Sequence, residues 1–86
     1  MSETQASILR IAKAYPLSED ILRLCLVPRT TSEIKNFLER KYSSVASGST
    51  LANTLQKLED VGGLKYDADK WTTTGNAKVV LEKYFG

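Results

Sequence analysis

The sequence has no histidine, a single cysteine and no long apolar run. Without histidine, the chain lacks the commonest general base and the imidazole ligands that many metal sites use. The lone Cys25 cannot form a disulfide within the chain, and such usage is typical of a reducing, intracellular compartment. No apolar stretch approaches the length of a membrane span, and residues 1–15 lack the pattern of a secretory signal. We therefore expect a cytoplasmic protein with no membrane partner.

The chain also lacks a strong excess of either charge. Twelve Lys and Arg against ten Asp and Glu give a net charge of only +2 in 86 residues. This balance neither requires nor excludes a nucleic-acid partner. The chain also lacks a phosphate-binding glycine loop, and its carboxylates Asp67 and Asp69 stand in a turn-like stretch without an acid/base partner. We expect no enzyme activity, and the sequence points to no cofactor, metal or small-molecule ligand.

The first two apolar segments predict helices. Pro16 ends the first, Ser18 offers an N-cap for the second, and Pro28 stops that second helix. Cys25 lies in the second segment, where it is expected to be a small apolar core residue rather than a reactive thiol. The first segment is marked by four apolar residues at helical spacing: Ile8, Ile11, Ala12 and Tyr15.

Two further helices are predicted from capping and leucine spacing. Thr30 and Glu33 fit a capping box at the start of the third helix. In the fourth, leucines at positions 51, 55 and 58 share one face, at i, i+4 and i+7. Gly62 and Gly63 then end this helix, since glycine tolerates the left-handed cap. Ser47 or Ser49 can cap its start.

After the glycines the pattern changes to alternation, which predicts a β-hairpin. Leu64 and Tyr66 alternate with polar neighbours, residues 67–70 resemble a turn, and Trp71 begins the return strand. We expect Trp71 to be a plug between hairpin and core rather than a base-stacking residue. Thr72 or Thr74 then caps a last helix.

These elements predict a mostly α chain with a small β-hairpin, an α+β fold in a single domain of residues 1–86. An N-terminal helix within 1–16 precedes a core of residues 18–85. The expected helices are about 3–15, 18–27, 31–41, 49–61 and 73–85, with the hairpin at 63–72.

Three segments, in chain order, carry a family resemblance: TTSEIKNFL, STLANTLQKLEDVGGL and WTTTGNA. Their order and spacing resemble the winged-helix domains of small bacterial and archaeal transcription regulators. Those domains show T-x-x-E-I, then L-x-x-L-x-x-x-G-L, then T-x-x-G after the wing. The resemblance implies a winged helix-turn-helix that binds double-stranded DNA and regulates transcription in a prokaryote or one of their viruses. The longer link YSSVASGS and the glycine before Gly63 depart from the pattern.

If the leucines face the core, the opposite face of the fourth helix presents short polar side chains and one cation, chemistry suited to base edges and phosphates. Free backbone N–H groups at its start also attract phosphate. Lysines on the third helix and in the wing can hold the DNA backbone on either side. The expected DNA contacts are Thr31, Ser32, Lys35, Ser49, Thr50, Asn53, Thr54, Lys57, Lys65 and Lys70.

Two alternatives stay open. The polar face can be merely solvated, and the acidic wing tip at Asp67 and Asp69 favours a winged helix used for protein contact in a larger assembly. For a DNA-binding protein we expect a homodimer, because few cations give few phosphate contacts and two half-sites bound together raise affinity. Either the N-terminal helix or the last helix, with Val79, Tyr84 and Phe85, is the expected dimer element.

Overall fold

The structure is a computed structural model that describes residues 2–42 and 48–86. Within those residues, five α-helices and one antiparallel hairpin follow one another, which confirms the α+β prediction. Among these helices, none is long and apolar enough to span a membrane. The elements are α1 Glu3–Ala14, α2 Ser18–Leu24, α3 Thr31–Lys41, α4 Gly48–Asp60, β1 Leu64–Asp67, β2 Lys70–Thr73 and α5 Gly75–Val80, which continues as a π-helical turn over Leu81–Phe85.

Helix starts agree with the sequence in two places and differ in a third. Thr30 Oγ1 accepts from the Glu33 N–H at 3.1 Å and Glu33 Oε1 accepts from the Thr30 N–H at 2.8 Å, so the capping box is confirmed. Thr74 caps α5. The prediction that Ser18 caps α2 was wrong, because Leu17 occupies the N-cap position. Ser18 is already helical, and its hydroxyl is buried in the interior.

The two glycines after α4 have separate tasks. The Gly62 N–H donates to Glu59 O at 3.0 Å and the Gly63 N–H donates to Leu58 O at 2.7 Å, the bond pair of a Schellman motif. Gly62 has φ +80°, which a side chain would strain. A Cβ on Gly63 would lie 3.2 Å from Leu58 O and 3.6 Å from a methyl of Ile8. Gly62, the extra glycine, therefore closes α4, and Gly63 lets the chain pass close to α1.

The hairpin has a two-residue turn. Tyr66 pairs with Trp71 and Asp67 with Lys70, and the turn residues Ala68 and Asp69 have φ values of 50° and 64°. Two successive positive φ values are the signature of a type I′ turn, which matches the twist of the strands. The predicted turn at residues 67–70 is confirmed. The hairpin spans 64–73 rather than 63–72, because Thr73 is the last strand residue.

A third extended piece lies beside β2. The Arg29 N–H donates to Trp71 O at 3.0 Å, and the Trp71 N–H donates to Arg29 O at 2.7 Å. This isolated antiparallel bridge ties the segment between α2 and α3 to the hairpin. α2 ends at Leu24, short of the predicted residue 27, and the chain turns over residues 25–28 into the bridge.

The threonines at the base of the hairpin lock it to the helices. Thr73 Oγ1 donates to Leu22 O at 2.6 Å, and the Thr73 N–H donates to Cys25 O at 2.8 Å, which satisfies carbonyls at the end of α2. Thr74 Oγ1 donates to Gly62 O at 2.6 Å while accepting from the Ala77 N–H. The T-x-x-G sequence thus joins the end of α2, the end of α4 and the start of α5.

One core is shared by all the helices and the base of the hairpin. Within it, Ile8 of α1 is fully buried, Ala12 is almost so, and α1 packs on α5, α2 and α4. Burial raises the pKa of the Cys25 thiol to about 12, against a smaller opposite effect of the Arg29 charge. The core interpretation of Cys25 is therefore confirmed.

Candidate nucleic-acid interface

The two sides of α4 divide as the leucine spacing predicted. Leu51, Leu55 and Leu58 are at most 3% exposed and form part of the core. Asn53 and Lys57 are exposed on the outer side. Because their side chains contribute nothing to the core, these two residues are available for a partner.

The prediction that Thr54 contacts DNA was wrong. Its side chain is 2% exposed, and its hydroxyl donates to the Thr50 carbonyl at 2.9 Å, four residues earlier. The threonine therefore satisfies its own hydroxyl within the helix and presents its methyl group to the interior. The sequence contained the signal, because Thr54 stands three residues after Leu51 and four before Leu58.

Gln56 is an exposed residue on the outer face of α4 that sequence reasoning missed. Its amide Nε2 donates to Glu59 Oε1 at 3.1 Å and to Asp60 Oδ1 at 2.9 Å. The amide N–H groups thus bind carboxylates, and the amide oxygen can serve as an acceptor. Its spacing of three residues from Asn53 would have identified it.

The start of α4 is only partly described. Thr50 is exposed in the first turn and its carbonyl accepts the bond from Thr54. Ser49 lies in the same turn, but its side chain falls outside the described part of the chain, as does Ser47. Residues 43–47 as a whole lie outside the described part of the chain, so the link YSSVASGS is described only at its ends.

The start of α3 lies against the hairpin. Thr31 Oγ1 accepts from the Trp71 indole N–H at 2.9 Å. Trp71 is half-buried against the core and packs on the exposed Tyr66, with ring centroids 4.5 Å apart. The plug interpretation of Trp71 agrees with this packing, and Thr31 holds the plug while its own O–H remains a donor. Ser32, next in the chain, is exposed.

The cations on α3 fall into two groups. The Lys35 ammonium lies 3.9 Å from Glu39 Oε1, and both side chains are about half exposed, so this pair is weak. Lys41 instead donates to Asp20 Oδ1 at 2.6 Å, and the Tyr42 hydroxyl donates to Asp20 Oδ2 at 2.5 Å. Burial alone would raise the pKa of Asp20, but the hydrogen bonds from Lys41 and Tyr42 lower it overall. Lys41 thus joins α3 to α2, whereas the Lys35 ammonium is held only by a long, half-exposed ion pair within α3.

The hairpin has its two lysines on one face. Residues 65 and 72 are cross-strand partners, as are 67 and 70, so Lys65, Asp67, Lys70 and Thr72 share one side of the hairpin. Both lysines are exposed, and a shallow groove containing Pro28 runs between them. Asp67 is the cross-strand partner of Lys70, and its negative charge reduces the net charge of this face from +2 to +1.

In the described part of the chain, no cluster of three metal-ligating side chains occurs. The candidate site therefore consists of an exposed polar face on α4, the start of α3 and a hairpin with two exposed lysines. No protein-family model, curated protein or solved structure matches this chain.

Proposed function

We propose that the protein binds double-stranded DNA with a winged helix-turn-helix formed by α3, α4 and the hairpin, and that it regulates transcription as a homodimer. The order helix, helix, hairpin supports this assignment, as does the Arg29–Trp71 bridge, which gives the hairpin a third extended neighbour. The observation that carries the proposal is the outer face of α4, whose exposed polar side chains have no role in the core.

The charges along α4 favour docking by its N-terminal half. The first turn has no acidic residue, and Lys57 lies in the last turn beside Glu59 and Asp60. Backbone N–H groups at a helix start attract phosphate, whereas the two carboxylates repel it. A major groove therefore receives the start of α4 more readily than its end.

Each side chain then has a task suited to its chemistry. The Asn53 amide can donate to adenine N7 and accept from N6, and the amide oxygen of Gln56 can accept from an exocyclic amine such as cytosine N4. Lys57, an exposed ammonium, suits a phosphate. The remaining proposed phosphate contacts flank α4: Thr31, Ser32 and Lys35 on α3, and Lys65 and Lys70 in the wing.

We propose a binding role rather than a catalytic one, in a reducing intracellular setting. The thiol of Cys25 is buried, and this burial raises its pKa to about 12, so the thiol is protonated at neutral pH. A buried thiol with a raised pKa is a poor nucleophile.

Duplex binding by Asn53→Ala tests the proposal. The truncation removes one bidentate base contact, so we expect affinity for a selected duplex to fall by about 1–3 kcal/mol while affinity for random duplexes changes little. The matched control is Asn76→Ala on α5, an exposed asparagine whose partner is Gln5, remote from the proposed groove contacts. Equal binding by the two variants would assign DNA reading to another face.

A protein-contact module is the alternative function, and the acidic wing tip favours it. Asp67 and Asp69 are exposed, and Asp69 Oδ1 accepts from the Tyr66 hydroxyl at 3.1 Å, so the tip presents negative charge. If the wild-type protein retains no duplex, random or selected, at low salt, this alternative replaces DNA binding.

A further inference from the structure

The two candidate dimer elements differ in what they leave exposed. The apolar stripe of α1 has its central residues, Ile8 and Ala12, buried in the chain's own core. At the other end, a surface groove lies between α2 and the last helical segment. Its lining residues are Arg23, Leu26, Lys78, Leu81, Glu82 and Gly86.

Large apolar side chains stand exposed at this groove. Leu26 is 45% exposed and the neighbouring Val27 57% exposed, whereas Leu81 forms the buried floor. By contrast, two of the exposed tyrosines have partners within the chain, since Tyr42 donates to Asp20 and Tyr66 packs on Trp71. The apolar surface around Leu26 has no such cover among the described residues.

The charges around the groove are self-complementary. Lys78 and Glu82 are exposed, four residues apart on the last helical segment, and in the described part of the chain neither forms an ion pair. Arg23 is already engaged, since its guanidinium donates to Glu19 Oε2 at 3.0 Å and to the Phe85 carbonyl. In the described part of the chain, the groove charges without an ion pair are therefore one cation and one anion, both on the last helical segment that lines the groove with Leu26.

We infer that this groove is a two-fold interface with a second copy of the chain. In a two-fold contact the same patch meets itself, so residue i faces residue j and j faces i. Lys78 of one copy then meets the partner's Glu82, the reverse pair forms by symmetry, and Leu26 and Val27 of both copies pack beside these pairs. The inference deepens the homodimer part of the proposed function and does not depend on DNA binding, because the surface contains none of the proposed DNA contacts.

Sedimentation equilibrium without DNA tests the interface through charge reversal. We expect the wild-type protein to dimerise at or below about 100 µM, and Lys78→Glu and Glu82→Lys each to raise the dimer dissociation constant by about tenfold, because each reversal changes two symmetric pairs. The double variant carrying both reversals is expected to dimerise like wild type. An equimolar mixture of the two single variants is expected to form a heterodimer, in which both pairs have opposite charges.

Lys83→Glu is the matched control, because it makes the same charge change on an exposed residue of the same segment outside the groove. It is expected to leave the dissociation constant unchanged, and circular dichroism checks that every variant is folded. A monomeric wild type, a dimer insensitive to residues 78 and 82, or a double variant that stays monomeric would each overturn the interface. None of these outcomes bears on duplex binding by the monomer, so failure of the dimer and failure of DNA binding are distinguishable.

Discussion

On the inward face of α4, Leu55 and Leu58 are at most 2% exposed, whereas on the outward face Asn53 and Lys57 are open to solvent. Inward positions are fixed by volume and apolarity, because the core tolerates little change in either. Outward positions are free of that demand, so their chemistry reflects solvent or a partner. The comparison teaches that stability and recognition can be changed separately on one helix.

Leu55→Ala should give the largest effect and sharpen this contrast. Removing a fully buried leucine side chain leaves a cavity, so we expect the free energy of unfolding to fall by about 2–5 kcal/mol in urea denaturation. Lys57→Ala on the opposite face is the control and should stay within about 0.5 kcal/mol of wild type. Comparable losses in both variants would contradict the two-face description.

Thr73→Val extends the comparison to the hairpin, which also has an inner and an outer side. The change keeps the shape of Thr73 but removes the hydroxyl that donates to Leu22 O, so we expect a loss of about 1–3 kcal/mol in the same assay. Thr72→Val is the natural control, since Thr72 lies on the outer side of β2 beside Lys65. A Thr73→Val protein as stable as wild type would mean that the hydroxyl bond carries no net stabilisation.

Asp20→Asn should give a smaller, pH-dependent effect. The folded-state pKa of Asp20 is lowered, burial opposing but the bonds from Lys41 and Tyr42 prevailing, so the carboxylate stabilises the fold above its unfolded pKa and this contribution is lost as pH falls through the folded pKa. We expect Asp20→Asn to cost about 0.5–1 kcal/mol near neutral pH and nothing once wild-type Asp20 is protonated.

The matched control for that prediction is Glu39→Gln, whose partner Lys35 lies 3.9 Å away with both side chains half exposed. It should leave the free energy of unfolding unchanged at every pH. A difference between Asp20→Asn and wild type that persists at the lowest pH would show that the asparagine disturbs packing instead.

Much of the fold was predictable because its signals are local. The Thr30–Glu33 capping box, the turn at residues 67–70 and the double glycine each encode a backbone conformation in two to four residues. Leucine spacing then gave the inward face of α4. In each case the local preference of the residues agrees with the final packing, so the sequence pattern was enough to predict the structure.

The errors arose where a short hydroxyl side chain is buried rather than exposed. Thr54 looked like a surface residue, yet its hydroxyl bonds back to Thr50 O and its methyl enters the core. Ser18 looked like a cap, yet the helix starts one residue earlier and buries it. Periodicity ranks positions by face but does not show whether a hydroxyl finds a partner within its own turn.

Other features needed three-dimensional contacts. The Arg29–Trp71 bridge joins residues more than forty positions apart, and the Asp20–Lys41 bond joins two helices. Nothing in the local sequence distinguishes Lys41, which is engaged, from Lys35, which is nearly free. The candidate site could therefore be assigned to α4 and the hairpin from the sequence. Only the structure showed which lysines are already held by an ion pair.

The salt dependence of duplex binding by Lys57→Ala, compared with Lys83→Ala, tests the central claim most directly. If the outward face of α4 meets DNA, Lys57 neutralises a phosphate, and its removal should make the negative slope of log affinity against log salt shallower by about one unit. Lys83→Ala removes the same charge from the last helical segment and should leave the slope unchanged. Identical slopes for Lys57→Ala, Lys83→Ala and the wild-type protein would contradict the claim.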